Sequence, residues 1–273
     1  MTSKQILNTI LTDNQIALFY LGQEGYLFKY KNTHILIDPY LSDYVDKHCC
    51  TDTVKWCRNY PAPISAEDLN FIDICLCTHT HYDHMDPETL RILAKVNPNA
   101  FFIVPDFAKE LVHSYGVDTG KIIGAVTDTV LDFDHCQICP IASAHEELHQ
   151  DENGNYMELG YKIIFDSISL YHGGDVCLYD GLEASINNID IMMVPINGRS
   201  YYKLENDIIG NMTVEEAVLL AQKCKTDLLI PMHYDLYNIN CVNPAVFVDY
   251  LYSNHPTQKF HMFVPGECYI YQK

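Results

Sequence analysis

The sequence predicts an α+β fold in which two β-sheets pack together and helices lie outside them. Three observations lead there. The chain opens with an antiparallel meander of β-branched and aromatic residues. Helix and strand patterns then alternate, in two halves of similar style at about 1–150 and 151–273. No linker separates the halves, so residues 1–273 read as one domain with one shared core.

The elements follow in order. Residues 3–12 carry Ile6, Leu7, Ile10 and Leu11 at helical spacing and predict a short amphipathic helix. Strands are expected at Ile16–Leu21, Tyr26–Tyr30 and Thr33–Ile37, with turns at Gly22–Gly25 and Lys31-Asn32 and an end at Asp38-Pro39. Residues 40–64 are irregular and polar, and a loop of that length is usually functional or flexible. Ser65–Asp68 starts a short helix, and Ile72–Cys77 is a buried strand. Asp86 caps a helix with Pro87 at its first position and Leu90, Leu93, Ala94 and Val96 on its buried stripe. A strand at Ala100–Val104 leads to a helix Phe107–Tyr115, capped by Asp106 and ended by Gly116. Strands near 122–126, 129–133 and 136–142 precede a polar loop at 145–155. In the second half, strands are expected at 156–165, 168–171 and 189–194. Thr213-x-x-Glu216 is a capping box for a helix reaching Cys224. Leu228–Ile230 is a short strand, Asn243-Pro244 opens a helix to about Ser253, and strands at Phe260–Val264 and Tyr269–Tyr271 flank a Pro265-Gly266 turn.

Composition narrows the function. A net charge of -19 repels nucleic-acid backbones and anionic membranes, so neither is an expected partner. No stretch is long and apolar enough for a membrane span, and Met1–Thr12 has no apolar run of signal-peptide length. A soluble chain is expected. The 11 cysteines are an odd number without a disulfide spacing, which fits a reduced, cytoplasmic setting. Cys136-x-x-Cys139 lacks the second pair a zinc ribbon needs.

The chemistry concentrates in Thr78-His-Thr-His-Tyr-Asp-His84. Imidazole nitrogens and carboxylate oxygens are the usual protein ligands of divalent metals. Residues two apart in an extended segment point the same way, so His79 and His81 can grip one cation. Asp83 and His84 lie on the turn into the Asp86 helix and can face a second. Further ligands are needed. His145 and His233 each follow a strand end, where loops on a rigid scaffold carry sites. Asp175 follows His172-Gly173-Gly174, and its two oxygens could bridge two cations.

The order His-x-His-x-Asp-His, a lone His, Gly-Asp after a strand and a late His resembles the metallo-β-lactamase-fold superfamily over nearly the whole chain. More narrowly it resembles the L-ascorbate-6-phosphate lactonase family and its uncharacterised relatives. The residues that carry this are Leu21–Gly25, Leu36–Pro39, Thr78–Pro87, Val194–Arg199, Gly210–Ala217 and Ile230–Asp235. The resemblance implies a four-layer αβ/βα sandwich with the metals at the edge between the sheets. It implies that His79, His81 and His145 hold one metal, that Asp83, His84 and His233 hold the other, and that Asp175 bridges. Asp38 matches a carboxylate that supports these ligands from behind.

The expected protein is a metal-dependent hydrolase that directs a metal-bound hydroxide at a small, anionic substrate such as a sugar-phosphate lactone. The alternatives are a phosphodiesterase and a non-catalytic metal-binding protein on the same fold. Two divalent ions are expected, and Mn²⁺, Zn²⁺ and Fe²⁺ all suit His/Asp ligation. Asp83 would orient the hydroxide, and His172 is a candidate proton donor to the leaving group. Arg58 and Arg199, in a chain where arginine otherwise occurs only at Arg91, are candidates to hold an anionic group through bidentate bonds, with Asn197 beside them. Tyr234 and Asn240 are weaker candidates. A homo-oligomer is compatible with all of this.

Overall fold

Alternation along the first strand decides the architecture. In β1 (Gln15–Gly22), Ile16, Leu18 and Tyr20 face one apolar cluster and Ala17, Phe19 and Leu21 face another. Successive side chains of a strand point to opposite faces, so a strand buried on both needs cover on both. The computed structural model describes residues 1–273 and supplies that cover with a second sheet on one side and helices on the other.

The first sheet begins as an antiparallel meander of β1, β2 (Gly25–Tyr30) and β3 (Thr33–Ile37). It continues with three parallel strands, β4 (Ile74–Leu76), β5 (Phe101–Pro105) and β6 (Ile122–Ala125). The second sheet repeats the plan. β7 (Leu131–Phe133), β8 (Cys136–Ala142), β9 (Leu159–Phe165) and β10 (Ile168–His172) run antiparallel. β11 (Ile191–Pro195), β12 (Leu228–Met232) and β13 (Lys259–Phe260) then follow β10 in parallel. The last strand, β14 (Cys268–Gln272), returns to pair with β1, so each sheet has seven strands.

The central core lies between the sheets, where Leu18, Phe28 and Ile37 meet Ile163, Leu170 and Ile230. The helices lie outside. Ile6 of α1 (Ser3–Asn8), Leu90 and Leu93 of α3 (Pro87–Val96) and Val112 of α4 (Lys109–Ser114) pack on the first sheet, while α2 (Tyr44–His48) sits in the loop after β3. Each such fully buried side chain is worth about 1.5–3 kcal/mol. Leu182 of α5 (Leu182–Ser185), Ala217 and Val218 of α7 (Val214–Lys223) and Phe247 of α8 (Pro244–Asn254) pack on the second sheet. The short α6 (Tyr201–Glu205) precedes α7. The result is the four-layer αβ/βα sandwich.

Several expected boundaries shift. The division between sheets falls between β6 and β7 rather than near residue 150, and β14 crosses back, because an edge strand needs only a partner with free backbone groups. The first helix stops at Asn8: Thr9 leaves the helical region and Ile10 is solvent-exposed, so only Ile6 anchors it. Asp106 does not cap the following helix; it pairs with Lys109 at 2.6 Å, and a 3-10 turn at Asp106–Ala108 leads into α4. The 40–64 segment contains α2 and is tied down by Asp46, which accepts hydrogen bonds from Tyr237 Oη (2.8 Å) and the Arg58 backbone N–H (2.8 Å). Of the expected strand at 260–264 only Phe260 pairs, within β13. No helix is long and apolar enough to cross a membrane.

One consequence for function is topological. β3, β4, β10, β11 and β12 run parallel within their sheets, and the segments that follow them carry Asp38, His79, Asp175, Asn197 and His233. The carboxyl ends of parallel strands are where α/β sheets gather their ligands. The α7 helix that closes this region has a reciprocal capping box, Thr213 with Glu216. Thr213→Ala is expected to lower stability by about 1 kcal/mol, read from the midpoint of urea unfolding, with the unfolding slope unchanged.

Candidate metal centre

Asp38 organises the histidine loop before any ligand is placed. Its carboxylate accepts the Thr78 N–H (2.8 Å) and the Thr78 hydroxyl (2.7 Å), and lies 2.8 Å from His84 Nδ1. His84 Nδ1–H therefore donates to Asp38, and Nε2 is left with a free lone pair. That lone pair is buried and has no protein partner. Downstream, Met85 N–H donates to the His81 carbonyl (2.7 Å), and Asp86 caps α3 through Glu88 N–H. The loop is thus held at both ends. Gly174 sits against it with φ +59, where a Cβ would come within 2.7 Å of Thr78 Cβ, so only glycine lets Asp175 approach.

Four groups of candidate ligating atoms result: two along the histidine loop, and two that join Glu24 either to His84 and Asp175 or to Asp38 and His172. Of the two along the loop, His79, His81, His145 and Asp175 form one, and Asp83, His84 and His233 form the other, each with its donor atoms within 4.8 Å of one another. In the first set, His79 Nε2 and His81 Nδ1 are 3.0 Å apart, His145 Nε2 is 3.2 Å from His81 Nδ1, and Asp175 Oδ2 is 3.9 and 3.8 Å from His79 and His145. A tetrahedron with bonds of about 2.1 Å has edges of about 3.4 Å, so these separations suit a cation such as zinc. In the second set, His84 Nε2 is 3.7 Å from Asp83 Oδ2, and His233 Nε2 is 3.9 Å from it. Asp175 belongs to both, with Oδ1 3.6 Å from His233 Nε2 and Oδ2 3.6 Å from His84 Nε2. Its Oδ1 is buried without a hydrogen-bond donor. Partnerless His84 Nε2 and Asp175 Oδ1 fit a pair of divalent cations, since buried polar atoms are otherwise paired.

The electrostatics agree with that donor set. Burial pushes the imidazoles of His79 and His233 below their ordinary range, and that of His145 down to about 4. These rings are therefore neutral at neutral pH, as ligation requires. Burial would also lower His84, but Asp83, Asp175 and Asp38 around it raise it well above its ordinary value, so a cation at Nε2 would take the place of the proton these acids otherwise favour there. Burial opposes ionisation of Asp175, and the surrounding histidines overcome it and hold this carboxyl well below its usual range. Backbone strain gathers here too: the non-glycine residues Gln23, Asp38 and His233 have φ of 58, 44 and 57.

A cavity of about 180 Å³ opens above the ligands. Its floor is His81, Asp83, Asp175 and His233, and its walls include Val45, Trp56, Tyr82, Ile208 and Ile209, with Asp207 and Asn240 as polar members.

Other expected site residues stand elsewhere. The Arg58 side chain is buried under Tyr40, with its guanidinium 4.8 Å from the ring centroid and donating to the Ser42 carbonyl. Arg199 is clamped by Glu216 and by the Asn211 carbonyl at 2.9 Å, beneath the N-terminus of α7. Neither lines the cavity. Asn197 lies one layer back, donating to Asn240 Oδ1 (2.9 Å), and Asn240 reaches the cavity. Tyr234 donates to the Phe263 carbonyl (2.7 Å) and faces the core. His172 is fully buried: one ring nitrogen donates to the Glu24 carbonyl (2.8 Å) and the other accepts the Gly174 N–H (3.2 Å). With both nitrogens engaged by backbone, the His172 proton is held by the Glu24 carbonyl and the ring does not line the cavity; it props the Asp175 loop.

Three residues near the centre carry no local sequence signal that marks them as site residues: Gln23, Glu24 and Lys203. Gln23 and Glu24, between the turn glycines after β1, are both buried at the metal centre. The Gln23 amide nitrogen is 2.8 Å from Asp83 Oδ2 and 3.0 Å from His233 Nε2. Both Glu24 oxygens lack partners, and burial together with the charge of Asp175 raises its pKa well above the ordinary value. The Lys203 ammonium donates to the carbonyls of Asn197 (2.6 Å) and Gly198 (2.9 Å), and burial lowers its pKa to about 8.

Comparison with known proteins agrees with this geometry. The sequence pattern of the β-lactamase superfamily domain matches residues 33–234. The chain belongs to that superfamily. Among its relatives, a protein described as a UPF0173 metal-dependent hydrolase from Sulfolobus acidocaldarius is 26% identical over 236 residues, covering 85% of this chain and 89% of the relative. Among solved structures, a metallo hydrolase of Ignicoccus hospitalis superposes with a TM-score of 0.70 at 20% identity, covering 95% of this chain and 99% of that one. An isothiocyanate hydrolase from Delia radicum gut bacteria gives 0.74 at 18% identity, covering 94% and 100%.

Asp38 offers a test of the ligand arrangement. Asp38→Ala removes the acceptor that fixes the His84 ring. It is expected to weaken divalent-metal affinity by about 10–100-fold, measured by calorimetric titration of metal-stripped protein.

Proposed function

We propose that the protein is a hydrolase that uses two divalent cations to cleave a small, uncharged substrate carrying an apolar group. The observation that carries the reading is the convergence of seven ligating side chains, in two sets joined through Asp175, beneath a cavity with apolar walls. Its metal-dependent relatives are consistent with it. His79, His81 and His145 would hold one cation, Asp83, His84 and His233 the other, with Asp175 touching both. Cations bound there supply Lewis acidity and an acidified water near neutral pH.

The chain's own groups divide the remaining work. Asp83 lines the cavity, and its carboxyl is held below its usual range chiefly because the charge of His84 outweighs burial and the repulsion of Asp175. It is therefore ionised, and suits orienting a water and accepting its proton. Val45, Trp56, Ile208 and Ile209 give the cavity an apolar side beside the ligands. Asn240, steadied by Asn197, is the neutral hydrogen-bonding group available to a substrate oxygen.

An uncharged substrate is proposed here in place of the anionic one expected from the sequence. Both arginines that would have bound it are committed to structural contacts, no Lys or Arg lines the cavity, and Asp207 does. The volume, about 180 Å³, is also below the roughly 300–1,000 Å³ of ordinary ligand pockets, which favours a small substrate or a small reacting portion of a larger one. Esters, lactones and amides of that size fit the description; a sugar-phosphate lactone or a phosphodiester places its charge against Asp83 and Asp207.

Two outcomes are expected. With Mn²⁺ or Zn²⁺ supplied, small uncharged esters and lactones turn over with kcat/KM at least tenfold above their phosphorylated counterparts and above phosphodiesters; the reverse order would sink the substrate assignment. Asp83→Ala lowers kcat by about 100-fold or more on the preferred substrate, and a near-normal kcat in that variant would remove Asp83 from the chemistry.

A further inference from the structure

We infer that Gln23 belongs to the second cation site, where its amide oxygen is a ligand alongside Asp83, His84, His233 and Asp175 and biases the site toward an oxygen-preferring cation. The inference rests on the two-cation reading above and adds a residue to it.

Position is the first argument. Gln23 is 1% exposed, and its amide nitrogen touches two atoms of the second set, Asp83 Oδ2 at 2.8 Å and His233 Nε2 at 3.0 Å. Its amide oxygen is buried with no partner. A buried amide with one end doubly engaged and the other empty is poorly satisfied as it stands.

The backbone gives the second argument. Gln23 holds φ 58 in a turn flanked by two glycines, in a region where glycine is the least strained residue. A long polar side chain is kept there despite the strain. Its carbonyl accepts the His233 N–H (3.3 Å) and the Tyr20 hydroxyl (3.3 Å), so the turn and the His233 ligand are fixed to each other.

Chemistry supplies the third. The His233 Nε2 lone pair can accept from an amide N–H or bind a cation, but not both. A half-turn about the last side-chain torsion exchanges the amide nitrogen for the oxygen without moving the chain. An oxygen there faces the Asp83 carboxylate and is repelled unless a cation lies among them. The amide thus has one favourable orientation without a cation and the opposite one with it. With Gln23 the second set offers oxygens from Asp83, Asp175 and Gln23 and nitrogens from His84 and His233. The first set offers three imidazole nitrogens and one oxygen. Nitrogen-rich four-coordination suits Zn²⁺, whereas more numerous oxygen donors favour Mn²⁺.

The test is a titration of metal-stripped protein with Mn²⁺, following free Mn²⁺ by electron paramagnetic resonance, with parallel Zn²⁺ titrations by calorimetry. Wild type is expected to take two Mn²⁺. Gln23→Met, similar in volume but without the oxygen, is expected to keep one site at wild-type affinity and weaken the other at least tenfold, with first-site Zn²⁺ affinity unchanged. Gln23→Glu, which retains an oxygen at the same reach, is expected to keep both. Two Mn²⁺ at wild-type affinity in Gln23→Met, or equal weakening of both sites, would overturn the assignment of Gln23 alone. Fewer than two Mn²⁺ in wild type would overturn the two-cation reading itself. Thermal melting of the metal-stripped variants checks folding, and Gln23→Asn, whose shorter amide withdraws the oxygen, replaces Gln23→Met if that variant does not fold.

Discussion

The site depends on the buried carboxylate of Asp38. It ties Thr78, at the start of the histidine loop, to His84, near its end, and does so from the loop that follows β3. A buried charge is costly unless its lone pairs are filled, and here two donors from Thr78 and one from His84 fill them. The same contacts choose the His84 tautomer, which decides that Nε2 and not Nδ1 faces the cations. Asp38 reaches this place only by adopting φ 44, a strained conformation for a non-glycine residue. The sheet beneath must hold it, and the apolar packing of β3 and β4 on both faces does.

A second constraint is electrical. The chain is strongly acidic, and the centre itself gathers Asp38, Asp83, Glu24 and Asp175 in a largely buried region. Carboxylates in that density require counter-charge. The two arginines near the region are placed elsewhere, one stacked on Tyr40 and one held by Glu216, where each fixes a loop. The imidazoles, and any cations held among them, are left to balance the acids. No cationic side chain lines the cavity walls.

Much of the fold was legible because strand alternation and helix capping are local. The meander at β1–β3, the Asp86-Pro87 and Thr213-x-x-Glu216 helix starts and the strand at Cys136–Ala142 are written in neighbouring residues. The return of β14 to β1 joins opposite ends of the chain and has no local signature. The arginines misled for a related reason. Scarcity in the sequence marked them as special, but whether a guanidinium meets a ligand or a neighbouring carboxylate depends on which loop folds against it. His172 likewise looked like a free imidazole beside Asp175, and the backbone of Glu24 and Gly174 claims both of its nitrogens.

The sequence by itself determined the superfamily and the spacing of the cluster at residues 79–84, because adjacent residues in an extended segment and a turn have fixed directions. Tertiary structure alone decided that His145, Asp175 and His233 close on that cluster, that Gln23 and Glu24 line it, and that the walls above it are apolar. Those contacts join segments that are far apart in the chain, and only the packing of two sheets around one core brings their strand ends to a common edge.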